Sequence, residues 1–117
     1  MRRTVIRMNG RPIAEVGLAD RFFLRLRGLI GRDPEALGGL YIKPCGQIHT
    51  FFMSVPIDVV YLDRNGAVLQ VEGAVPVTVC RPAVRGARRV LELPAGRAAQ
   101  YGITVGAVLE TDTKLQA

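Results

Sequence analysis

The strongest constraint on the fold is Ile57-Asp58-Val59-Val60-Tyr61-Leu62 followed by Asp63-Arg64-Asn65-Gly66. A run of β-branched and aromatic side chains favours extended backbone, and Asn-Gly tolerates the positive φ angles of a tight hairpin turn. The stretch predicts a strand over 57–62, a turn, and a return strand over 67–71. Asn9-Gly10 repeats the signal between Thr4–Met8 and Pro12–Val16. Further short strands are expected at Leu40–Lys43, Val75–Val79, Arg88–Leu93 and Val105–Thr111. One helical turn is expected within Ala95–Tyr101, and a loop between Asp33-Pro34 and Gly38-Gly39.

One segment has a different period. After Asp20, a good N-cap, Phe22, Leu26, Leu29 and Ile30 recur at helical spacing, with Arg21, Arg25 and Arg32 on the other side. A short amphipathic helix over 20–30 follows. The whole predicts a mainly β fold with minor α: a compact antiparallel β-sandwich, jelly-roll-like, or a partly open barrel.

A chain of 117 residues, 49% of them hydrophobic, fits a single domain spanning 1–117 with its own core. Two cysteines are too few for a disulfide framework. No apolar run approaches the ~20 residues of a membrane-spanning helix. The N-terminal MRRTVIRMNGRP lacks the apolar stretch of a secretory leader, so a cytoplasmic protein is expected.

The formal charge of +6 is unevenly placed. Residues 1–32 carry eight arginines against Glu15 and Asp20, whereas residues 33–117 balance. A second basic run comprises Arg81, Arg85, Arg88 and Arg89. Aromatic residues make up only 6%, with no Trp, so stacking platforms for bases are poorly supplied and a nucleic-acid partner is disfavoured.

Candidate chemistry gathers in residues 45–58. Cys45 and His49 could be a nucleophile and its base, or metal ligands; equally, they could be a small buried thiol and a hydrogen-bonded structural imidazole. With Cys45, His49 and Cys80 as the sole soft ligands, and no CxxC or HExxH spacing, no metal and no cofactor is expected. Alternation places Asp58 on one face with Val60 and Leu62, and Glu92 on one face with Val90. A carboxylate on an apolar strand face is costly unless paired or hydrogen-bonded. A single cleft holding His49, Thr50, Phe52, Met53, Asp58 and Glu92, with Phe51 among its walls, is the expected site.

Five segments occur together: Arg27-Gly28-Leu29-Ile30-Gly31-Arg32, Ile48-His49-Thr50-Phe51-Phe52-Met53, Pro56–Asp63, Val90-Leu91-Glu92-Leu93-Pro94-Ala95-Gly96, and Gly102-Ile103-Thr104-Val105-Gly106. In this pattern the chain resembles domain of unknown function family 192, an uncharacterised bacterial and archaeal protein family. The resemblance implies a mainly β fold of sandwich or jelly-roll type, and no reaction. It marks His49, Thr50, Met53, Asp58, Glu92 and Gly96 as typical positions. The function expected is a small binding or accessory domain for a small molecule or a protein. Two alternatives stand beside it. One is a hydrolase using His49 with Asp58 or Glu92 as acid and base. The other is an RNA- or phosphate-binding module built on the N-terminal arginines.

Overall fold

The computed structural model describes residues 1–21, 25, 28–48, 53 and 55–112. Among these residues seven strands run in chain order: β1 (Arg3–Met8), β2 (Arg11–Ala19), β3 (Leu40–Ile42), β4 (Ile57–Leu62), β5 (Val68–Val75), β6 (Arg89–Pro94) and β7 (Leu109–Thr111). Two four-residue helices among the described residues join them, α1 (Pro34–Leu37) and α2 (Arg97–Gln100).

The turn chemistry explains the two hairpins. Asn9 and Gly10 adopt φ of 55° and 77°, which lets β1 fold directly onto β2. At the other hairpin the Asp63 carboxylate accepts the backbone N–H groups of Asn65 and Ala67, and Gly66 takes φ 85°. The strands assemble into one sheet of order β5-β4-β6-β3-β2-β1-β7. Every neighbour pair is antiparallel except β2 and β3, which run parallel. The two edge strands approach each other at one end through a bridge between Ala67 and Val108, but the sheet is not closed along its length. Of the architectures expected, the partly open barrel describes this arrangement.

β4 and β6 are central and buried on both faces, and alternation divides their side chains between two cores. Val60, Leu62, Leu91 and Leu93 pack with Ile6, Val16, Leu18 and Tyr41 on one side. Ile57, Val59, Tyr61 and Val90 pack with Leu29, Leu40, Ile42 and Ile48 on the other. Gly39 makes the β3–β6 approach possible. Its φ is 142°, and a Cβ there would lie 2.7 Å from the Glu92 carbonyl oxygen.

Several boundaries depart from the sequence expectation. The separate strand expected at Val75–Val79 is absent: Val75 ends β5, and Thr78, with φ 62°, belongs to a turn. β7 begins only at Leu109; ahead of it the Gly106 N–H donates to the Val68 carbonyl at 2.9 Å and the Ala107 carbonyl accepts from the Val68 N–H at 2.8 Å, so this stretch bonds to β5. Within the segment expected as a loop, Asp33 caps α1 by accepting from the Glu35 N–H, and Gly38 closes it in the left-handed region. The amphipathic helix expected over 20–30 falls largely outside the described residues. Of it, the Arg25 N–H donates to the Arg21 carbonyl at 2.9 Å.

Candidate functional site

Glu92 sits in the middle of β6, flanked across the sheet by Val59 of β4 and Leu40 of β3. It is 4% exposed, and its Oε1 is buried without a hydrogen-bond partner among the described residues. Desolvation pushes its carboxyl up to about 7 from an ordinary 4.5. The side chain lines a pocket of about 160 Å³ together with Leu29, Ile42, Ile48 and Met53 as apolar wall and Arg25, Cys45 and Gln47 as polar groups. Gly28, at φ 56°, lets the 28–31 turn come close: a Cβ there would be 3.3 Å from Glu92 Oε1.

The Cys45 thiol faces the same region and donates to the Gln47 carbonyl at 3.3 Å. Burial, ahead of the nearby Glu92 carboxylate, pushes its pKa up. A thiol held protonated is a poor nucleophile. Of the nucleophile–base pair considered from sequence, His49 lies outside the described residues, as do Thr50, Phe51 and Phe52.

Asp58 has a different position and a different task. In the β4–β6 register it stands opposite Leu93, while Glu92 stands opposite Val59. Consecutive side chains alternate, so the two carboxylates project from opposite faces of the sheet. The single cleft expected to hold both does not form. Asp58 Oδ1 accepts the Ala74 N–H at 2.8 Å, and Oδ2 accepts the Ala98 N–H at 2.9 Å. Ala74 holds a φ of 48° at the bend near the end of β5. Ala98 lies in the first turn of α2, whose N-cap, Gly96, has no side chain to offer. Asp58 therefore acts as a remote cap that ties β5 and α2 to β4. Of the residues expected in one cleft, Met53 and Glu92 meet in the pocket.

Sequence reasoning did not anticipate Arg25, Leu29, Gln47 and Ile48 beside Glu92. They come from segments separated in the chain, and the cross-sheet contact that assembles them leaves no local pattern. The N-terminal arginines are partly committed to ion pairs: Arg2 with Asp20, Arg3 with Glu15 at 3.0 Å, and Arg7 with Asp112 at 3.4 Å.

The model of domain of unknown function family 192 (DUF192, Uncharacterized ACR) matches residues 4–111. The chain belongs to this family. Among DUF192 relatives, a UPF0127 protein of Pyrococcus horikoshii is 39% identical over 88 residues, covering 70% of this chain and 74% of its own. A UPF0127 protein of Thermococcus sibiricus is 35% identical over 86 residues, covering 69% of this chain and 55% of its own. The crystal structure of a protein of unknown function from Novosphingobium aromaticivorans superposes with a TM-score of 0.74 at 19% identity. It covers 92% of this chain and 83% of the other, and shares the fold. No specific activity is attached to this DUF192 chain by these likenesses. No helix among the described residues is long and apolar enough to cross a membrane.

Proposed function

We propose that the chain is a small-molecule-binding domain whose ligand occupies the pocket beside Glu92. The observation that carries this reading is the buried Glu92 Oε1, which lines the pocket and has no partner among the described residues. A buried polar atom without a partner costs of order 1–3 kcal/mol, and a ligand that supplies the missing hydrogen bond recovers that cost. Small-molecule sites commonly combine apolar walls with a few placed polar groups, and Leu29, Ile42, Ile48 and Met53 around Glu92 follow that pattern. A volume of about 160 Å³ suits a molecule the size of a six-membered ring. The ligand is therefore a ring-sized polar molecule that donates a hydrogen bond to Glu92, with Met53 packing on its apolar side.

The test is a nuclear magnetic resonance titration of the full chain with phenol, imidazole and cyclohexanol. At least one should shift the Leu29, Ile48 and Met53 methyl signals saturably. Glu92→Leu, which removes the acceptor, should weaken that binding about tenfold or more, as loss of a hydrogen bond to a carboxyl implies. Absence of any saturable shift, or unchanged affinity in Glu92→Leu, would overturn the reading.

A further inference from the structure

A second site is indicated at one rim of the sheet, away from Glu92. The neighbouring strands β4, β6, β3 and β2 all terminate there. β2 ends at Ala19 and β3 at Ile42, with the Lys43 N–H donating to the Ala19 carbonyl at 3.1 Å. β4 ends at Leu62, whose carbonyl accepts the Arg88 N–H at 2.8 Å just before β6 begins. The residues that follow or precede these strands consequently converge. Asp20, Lys43, Pro44, Arg64, Arg88 and Arg89 line an open recess of about 530 Å³.

Four of those six residues are cations, and the one carboxylate among them, Asp20, is engaged by Arg2. The neighbouring Asp63 turns its carboxylate to the backbone of its own turn. Among the described residues, Lys43, Arg64 and Arg88 form no ion pair, whereas Arg3, Arg7, Arg81 and Arg97 each do. Arg89 donates to the Tyr41 hydroxyl at 3.1 Å, which fixes its guanidinium at the edge of the recess. The chain thus pairs many of its cations with acids but leaves this group, drawn from four strand ends, uncompensated in one concavity. Like charges held together repel, so the arrangement favours an anion between them.

We propose that this recess binds a small anion carrying two linked phosphate groups. The planar arginine fork matches phosphate oxygens in pairs, and three arginines with a lysine carry enough charge and donors to serve the oxygens of two linked phosphates. With strands about 4.8 Å apart, the rim from β4 to β2 is about 14 Å wide, room for two phosphates side by side. Among the described residues that line the recess none is aromatic, so they offer no stacking surface for the bases of a nucleic-acid strand. The residues involved are not the N-terminal arginines. They include the end of the basic run that the sequence displays at 81–89.

The test is calorimetric titration of the full chain, at low salt, with inorganic pyrophosphate, inorganic phosphate and a short oligothymidylate. Pyrophosphate should bind with one site per chain, about tenfold or more tighter than phosphate. Arg64→Gln and Arg88→Gln should each weaken it about tenfold, because each removes a charge-assisted hydrogen bond. Both side chains are exposed, so circular dichroism should show an unchanged fold. Arg11→Gln, at an exposed position outside the recess, should leave the affinity unaltered. The proposal is overturned if pyrophosphate gives no saturable heat or binds no better than phosphate. It is equally overturned if Arg11→Gln weakens binding as much as Arg88→Gln, or if oligothymidylate binds and pyrophosphate does not compete with it.

Discussion

Glu92 gives the sharpest quantitative expectation, because its carboxyl is buried and no cation among the described residues is bonded to it. Its folded value of about 7 lies above the ordinary 4.5 of an unfolded chain. The folded state therefore holds its proton more tightly, and folding stability falls as pH rises between those two values. Below 4.5 the group is neutral in both states and imposes no charge penalty. Above about 7 it is ionised in both states, and the penalty is complete. At about 1.4 kcal/mol per pH unit between the two values, the full penalty is about 3 kcal/mol. Glu92→Gln keeps the shape and a buried polar group but cannot ionise. Urea unfolding at several pH values between 4 and 8 should show the wild type losing stability with rising pH relative to the variant. At pH 5 the two should agree within about 1 kcal/mol. At pH 8 the variant should be more stable by about 3 kcal/mol, a midpoint difference on the order of 1–3 M urea. Parallel pH profiles, or a wild type that gains on the variant above pH 7, would refute the reasoning, since either would mean that the ionised carboxylate is stabilised in the folded chain.

Three further expectations follow from the same geometry. Asp58→Ala leaves the Ala74 and Ala98 amides without their acceptor and should cost about 2–5 kcal/mol in urea unfolding, while Glu92→Gln leaves that linkage intact. Gly39→Ala drives a Cβ to 2.7 Å from the Glu92 carbonyl at a φ of 142°, so thermal unfolding should show a large loss of Tm or no folded protein. In timed alkylation with iodoacetamide near neutral pH, mass spectrometry should find exposed Cys80 modified well before Cys45, whose thiol is raised by burial.

The hairpins were legible because their determinants are local. Asn9-Gly10 carries its turn in two residues, the second turn is set by Asp63 and Gly66 within four, and Ile57–Leu62 emerges as a strand with the boundaries its composition indicates. The cap, proline and glycine that define α1 were also in the sequence, at Asp33, Pro34 and Gly38. A four-residue helix shows no amphipathic period, so those signals read equally well as loop punctuation. The parallel pairing of β2 with β3 is set by contacts between distant segments, which no turn motif announces. The candidate site divided for a related reason. Alternation correctly grouped Asp58 with Val60 and Leu62, and Glu92 with Val90, but it fixes only which neighbours within a strand share a face. Whether two carboxylates on different strands face each other depends on register, and here Asp58 stands opposite Leu93 rather than Glu92.

The pairing of β1 with β7 has a consequence for how the molecule comes together. The β1–β2 and β4–β5 ladders need only short loops to close, whereas the ladder joining Ile6 to Thr111 links segments almost a full chain apart. Closing that loop costs the most chain entropy, and the short β7 has few bonds with which to offset it. Of the ladders in the sheet, this one therefore has the least to hold it: three residues of β7 cover Ile6 and Met8 at the end of the longest loop the chain must close.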